Sequence, residues 1–406
     1  MTKPLPEDPF IRSLVIQAQR SQFTRRNMLK GAGIGAGALA LAACTPGGTT
    51  GGSTGPKAAK DKSDTDKIVR WDNWALYLDV DSNGHYPTLE AFEKQTGIKA
   101  TYTEAVDDNN TYYGKVKDQL KLGQDIGCDT VCLTDWMVDR WIRFGYTQEL
   151  DDAMIPNKKN LVPKLLDVSF DPGRKHSLPW QGGFAGIAWN KDHLPGGLTS
   201  VSDLWDPSLK GRVGVLSEMR DTMGCIMQDL GTQIDGKWGD AEFTAAIDVL
   251  QKQVSDGQIR NIKGNSYKQD LQNGDTLAAI VWSGDITQLN AEAGDHWAFA
   301  LPSKGGTLWN DNFLIPIGSA HKKNAEMLIN YYYNPEVAAQ VAAYVNYIPP
   351  VAGTKEAMMA LDPALADNQL IFPTEATLKN AHVFRSLDSA EDQKYNAQFQ
   401  AILLGA

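Results

Sequence analysis

The sequence predicts an α/β protein of two domains, each a mainly parallel sheet flanked by helices. Three observations carry that expectation. Strand-forming runs alternate with helical stretches from Ile68 onward; Pro179 to Asn190 is an extended, glycine-rich stretch that reads as a crossover; and 406 residues with 42% hydrophobic content are enough for two or three domains.

Taken in order, the chain opens with an address. Arg25-Arg26 lies in a basic stretch, followed by the uncharged run Gly31 to Ala43 and then Leu41-Ala42-Ala43-Cys44. This resembles a twin-arginine export signal ending in a lipobox, so residues 1–43 are expected to be removed and Cys44 to carry lipid. The apolar run of 13 residues is too short for a stable membrane span. Residues 44–67 are rich in Gly, Ser and Thr and then alternate Lys with Asp, which reads as a flexible tether. The matches to G-x-S-x-G at Gly51 to Gly55 and to G-x-G-x-x-A at Gly33 to Ala38 follow no strand and are set aside.

From Ile68 the elements are legible. Ile68 to Trp71 reads as a strand with Asp72 to Tyr77 as its terminal loop, Pro87 to Thr96 as a helix stopped by Gly97, Ile98 to Tyr102 as a strand, and Thr111 to Gly123 as a helix. Asp129 to Leu133 follows as a strand with Thr134-Asp135-Trp136 as its loop. Beyond the crossover, Gly211 to Leu216 is a strand with the loop Ser217 to Asp221, Phe243 to Val254 and Tyr267 to Asn273 are helices, and Ala278 to Trp282 is a strand. Leu308 to Ile317 reads as a return crossing, His321 to Tyr333 and Pro335 to Tyr344 as helices, and the remainder as helical. The expected division is 68–183 with 308–355 for one domain and 184–307 with 356–406 for the other.

The first 43 residues hold six basic and two acidic side chains, so the rest is more acidic than the total of −10. An acidic body argues against nucleic acid and favours cationic ligands. Cys128 and Cys132, four apart on a strand, would have Cα atoms about 13 Å apart and cannot bridge each other. With Cys225 they read as buried small residues, a bridge to Cys225 being the lesser alternative. No metal site or cofactor is expected: C-x3-C lacks matching His or Cys spacing, and the six histidines are dispersed.

The informative pattern is a recurrence. Trp282-Ser283-Gly284-Asp285 and Trp309-Asn310-Asp311 each place a carboxylate two or three residues after an indole, and strand-end loops elsewhere present Trp74, Tyr77, Thr134, Trp136, Glu218 and Asp221. An indole face attracts a cation by roughly 0.5–2 kcal/mol. A carboxylate at about 4 Å adds about 4 kcal/mol of gross attraction at an effective dielectric of 20. Ligands of parallel sheets sit at the carboxyl ends of strands.

In this order the motifs, closing with Asn346-Tyr347, resemble the spermidine/putrescine-binding proteins of bacterial polyamine ABC transporters, over residue 68 to the C-terminus. The resemblance implies a two-lobed, periplasmic-binding-protein-like fold with the ligand cleft at the hinge. It also implies delivery of a polyamine to a membrane permease, by a non-enzymatic monomer held by lipid to the outer face of the cell membrane. By position, Trp74, Tyr77, Trp136, Trp282, Trp309 and Tyr347 would box the methylene chain, with Thr134 beside them, and Glu218, Asp221, Asp285 and Asp311 would hold the ammonium groups. Asp285 in its Trp-Ser-Gly-Asp loop leans toward members that accept putrescine. Two alternatives stand beside this: a binder of another solute such as a sugar, and a secreted glycosidase using Glu218 or Asp221 with Asp311.

Overall fold

The computed structural model describes residues 55–405. The expected export signal, Cys44 and the expected tether up to residue 54 lie outside them. By itself, the short stretch Val80–His85 is a turn built on Asp81, whose carboxylate accepts the backbone N–H groups of Asn83 (2.8 Å) and His85 (2.9 Å). The rest of the described chain is one compact unit.

The ordered body begins earlier than the composition implied. Within the expected tether, the Ala59 N–H donates to the Ile317 carbonyl (3.0 Å) and the Lys62 N–H to the Ala320 carbonyl (2.7 Å), while Ser63 is buried. A polar segment cannot build a core, but its backbone can dock on one.

The first half of the body contains β1 (Ile68–Trp74), α1 (Pro87–Thr96), β2 (Lys99–Val106), α2 (Asn109–Lys121), β3 (Thr130–Thr134), α3 (Asp135–Arg143) and the short hairpin β4 (Asp167–Val168) and β5 (Asp171–Pro172). The long β6 (Ser177–Asn190) leads to β7 (Val213–Leu216), α4 (Met219–Asp229), α5 (Asp240–Ser255), β8 (Ile259–Lys263), α6 (Tyr267–Gln272), β9 (Ala278–Trp282), α7 (Ser283–Ala293) and β10 (Trp297–Ala300). Then β11 (Gly306–Leu314) returns and is followed by α8 (Lys322–Tyr332), α9 (Pro335–Val345), α10 (Thr354–Leu361), α11 (Pro363–Ala366), α12 (Glu375–Leu378), β12 (Ala381–His382) and α13 (Ser389–Gly405).

Local chemistry sets the boundaries nearest the site. Pro87 opens α1 with its fixed φ, and Gly97 closes it in the left-handed region at φ 71°. The Asp108 carboxylate caps α2 by accepting the Thr111 N–H at 2.9 Å, which fixes Asn109 at the helix start. Asn346 takes the left-handed turn at φ 58° that ends α9 and aims Tyr347 back at the sheet.

The sheet order is β2-β1-β3-β11-β6-β9-β7-β8. β1 runs parallel to β2 and β3, and β7 parallel to β8 and β9, whereas β11 is antiparallel to β3 and β6, and β6 antiparallel to β11 and β9. Two parallel groups are therefore joined by the two crossing strands, the α/β arrangement expected. β6 pairs with β11 from Ser177 to Ala185 and with β9 from Ala185 to Trp189.

One packing detail departs from the expected division. Residues 356–406 were expected to pack with the second half, yet Met358, Ala366 and Ile371 form a small core with Ala339 and Ala342 of α9. Farther on, Phe384 and Tyr395 return to Trp238 and Phe243. Cys128, Cys132 and Cys225 are buried free thiols. Among the described residues no helix is long and apolar enough to cross a membrane, and no group of potential metal ligands converges.

A candidate ligand cavity between the parallel groups

A narrow cavity lies where β1, β3, β9 and β11 meet the starts of α4 and α7, with about 30 Å³ open to the centre of a water-sized sphere. Its walls bring together Trp74, Tyr77, Thr134, Glu218, Asp221, Trp282, Asp285, Trp309, Asp311 and Tyr347, which is every site residue expected among the described ones except Trp136; Ala75 and Asn265 complete the lining.

The aromatic side is a continuous row. Ring centroids are 5.9 Å apart for Trp74 and Trp282, 6.4 Å for Trp282 and Trp309, 5.3 Å for Trp309 and Tyr347, and 5.4 Å for Tyr347 and Tyr77, each pair edge-on. Edge-to-face contacts hold rings in place while leaving faces for a ligand. Two glycines make the row sterically feasible. A Cβ at Gly183 would fall 2.6 Å from Trp309 and 2.7 Å from Tyr347, and one at Gly284 would fall 2.7 Å from Tyr347. The register places Gly183 opposite Trp309 on the neighbouring strand.

The acids arrive by two routes. Glu218 precedes α4, and Asp221 and Asp285 sit in the first turns of α4 and α7, where helix N-terminal amides favour negative charge. Trp309 and Asp311 differ from expectation: both lie within β11, and Asp311 pairs in register with Thr134. Alternation along a strand explains the spacing, since residues two apart share a face.

Asp311 accepts the Thr134 hydroxyl at 2.7 Å, and burial pushes its carboxyl up to about 7 despite that bond. The Tyr77 hydroxyl is near enough to lower it slightly, yet forms no hydrogen bond of ordinary geometry. Asp221 accepts the Trp282 indole N–H at 2.8 Å and the Thr307 hydroxyl at 2.6 Å; burial raises it too. Glu218 is raised further, by burial and then by the neighbouring Asp108, while it accepts both the backbone N–H and the side-chain amide of Asn109 at 2.8 Å. The Asn109 amide also donates to the Thr134 hydroxyl oxygen at 2.8 Å. One hydrogen-bonded chain thus runs from Glu218 of one parallel group through Asn109 and Thr134 of the other to Asp311. Asp285 is held differently, by the hydroxyls of Tyr267 (2.8 Å) and Tyr347 (2.9 Å) and by the Lys268 ammonium (3.1 Å).

Trp136 is a correction. Its ring does not line the cavity; the guanidinium carbons of Arg220 and Arg140 lie 4.1 and 4.9 Å from its centroid, and both arginines pair with Asp392. The cation attraction expected of an indole is met by the chain itself. Arg140 follows Trp136 by four positions on α3, a same-face spacing visible in the sequence. Asp135 binds the side-chain amides of Asn310 and Asn312, tying α3 to β11 outside the cavity. Residues 217–221 were expected to be a loop, but α4 starts at Met219. The chain order gave no signal for Asn109, Asn265 or Lys268.

The chain is similar to known bacterial binding proteins. The chain is 28% identical over 345 residues to the spermidine/putrescine-binding periplasmic protein of Escherichia coli (strain K12), covering 84% of this chain and 93% of that protein. It is 28% identical over 319 residues to the putrescine-binding periplasmic protein PotF of the same organism, covering 74% and 82%. Among solved structures, the spermidine/putrescine ABC transporter substrate-binding protein PotD from Streptococcus pneumoniae superposes with a TM-score of 0.67 at 26% identity, covering 83% of this chain and 98% of that one. The Tp0655 lipoprotein of Treponema pallidum, at 21% identity, shares the fold with a TM-score of 0.69, covering 83% and 99%. The model of the bacterial extracellular solute-binding proteins matches residues 88–372, most of the described chain, and the chain belongs to that family.

Proposed function

We propose that this chain captures a polyamine, putrescine or spermidine, between two lobes and delivers it to the permease of an ABC transporter, acting as a monomer without chemical turnover. The two parallel groups serve as the lobes and β6 with β11 as the hinge, dividing near residues 183 and 307. Lipid on Cys44 tethers the protein to the outer face of the membrane.

One observation carries this reading. Glu218, Asp221 and Asp311 are buried in a cavity walled by five aromatic rings in series, and among the described residues none of the three has a salt-bridge partner. Burying an unpaired carboxylate is costly, and these carboxyls are raised accordingly. A ligand bringing ammonium groups offsets that cost, while its methylenes contribute about 0.8 kcal/mol each against the rings. A neutral sugar would leave the charges uncompensated, and a glycosidase would require turnover. The names of the relatives support the same ligand class.

Thermal unfolding tests this. Putrescine or spermidine at a hundred times its dissociation constant stabilises the folded state by about 2.7 kcal/mol, a measurable rise in Tm. Neutral sugars and free amino acids leave Tm unchanged. Equal shifts with sugars, or none with either amine, would refute the reading.

A further inference from the structure

Asp285 is the cavity carboxylate that already holds an ammonium. Lys268 Nζ lies 3.1 Å from Asp285 Oδ1, the two side chains being 13% and 4% exposed. The Tyr347 hydroxyl donates to the same oxygen at 2.9 Å, and the Tyr267 hydroxyl to the other at 2.8 Å. Tyr267 and Lys268 are consecutive at the start of α6, so one turn of helix delivers both donors. Glu218, Asp221 and Asp311 receive only neutral donors. The cavity therefore holds one carboxylate paired with the chain's own ammonium and three that accept only neutral hydrogen bonds, the nearby Arg220 being paired with Asp392.

We propose that Lys268 is a specificity-determining resident ammonium: it occupies Asp285, so the ligand sets its amines against Glu218, Asp221 and Asp311, and a further ammonium reaching Asp285 is repelled. The chain then selects a short diamine over a longer triamine. This rests on the polyamine reading above. Lysine carries a compact charge on a flexible stem and can stand where a ligand's primary amine would otherwise sit. Specificity of this kind comes from a repulsive element as much as from attractive ones.

Calorimetric titration of the full chain with putrescine and with spermidine tests it on the native protein, Lys268→Met and Lys268→Arg. The native protein binds putrescine more tightly. In Lys268→Met the ratio of the two dissociation constants moves toward spermidine by about tenfold or more, because Asp285 becomes available to a third ammonium. Lys268→Arg, which keeps the charge, retains the native preference. Lys268→Gln gives the same reading as Met should the Met variant not melt cooperatively, since Gln can still donate to Asp285. A ratio unchanged within about twofold in the neutral variants, or a native preference for spermidine, overturns the inference while the polyamine reading stands. Native protein that binds neither amine overturns both.

Discussion

Asp311→Asn weakens putrescine binding by at least about thirtyfold and, in the same protein, raises the Tm of the ligand-free form above pH 7. The two effects have one origin. Asp311 is buried and its carboxyl sits near 7, so above that pH the empty cavity carries a charge that burial penalises. A carboxyl raised in the folded state contributes stability that is present below its unfolded value and lost as pH rises through the folded one. For Asp311 the window runs from about 3.8 to about 7. Asparagine is nearly isosteric, accepts the Thr134 hydroxyl through its carbonyl, and removes the penalty. With ligand the sign reverses: a buried ammonium loses its partner, which costs about 2–5 kcal/mol, or thirtyfold and upward at 1.4 kcal/mol per tenfold. A titration paired with a melting curve at pH 8 checks both. Asn that leaves affinity unchanged removes Asp311 from the site, and a lower ligand-free Tm contradicts the burial argument.

Trp282→Leu lowers affinity for putrescine and spermidine alike, by about tenfold to a hundredfold, whereas Trp136→Leu leaves both within about twofold. Trp282 stands between two other indoles of the row, 5.9 Å from Trp74 and 6.4 Å from Trp309, and its indole N–H orients Asp221. Leucine removes the ring face and leaves a buried carboxylate one donor short, a loss of about 1–3 kcal/mol for the donor alone. Trp136 supplies the contrast, because its ring is already covered by Arg140 and Arg220. Changing it should affect stability through that cluster rather than the ligand. Titration of both variants separates the roles, and a larger loss from Trp136 than from Trp282 would invert the assignment.

The sequence made the strand-helix alternation legible because its signals are local: Pro87 and Gly97 bound α1, and the β9 apolar run ends at Trp282. The cavity was legible for a different reason. Rings and acids at carboxyl ends of parallel strands converge by topology, as Trp74, Thr134 and Trp282 do. What the sequence hid depends on contacts between distant segments. Asn109 is an ordinary helix-start residue until Glu218 is seen on its N–H, and Lys268 is an ordinary helical lysine until Asp285 is seen against it. Trp136 misled because a motif position does not reveal which cation reaches the ring. Residues 57–67 misled because backbone docking on Ile317 and Ala320 leaves no trace in composition.

The central claim, that buried carboxylates grip an ammonium ligand, is tested most directly by counting protons. Putrescine titrations at pH 6 in two buffers of different ionisation enthalpy report how many protons leave the protein on binding. Asp311, with a value near 7 in the empty cavity, is mostly protonated at pH 6 and must ionise to pair with the amine. Binding therefore releases protons at pH 6, and the release shrinks at pH 8 and in Asp311→Asn. Tight binding with no proton released at pH 6 would contradict the account.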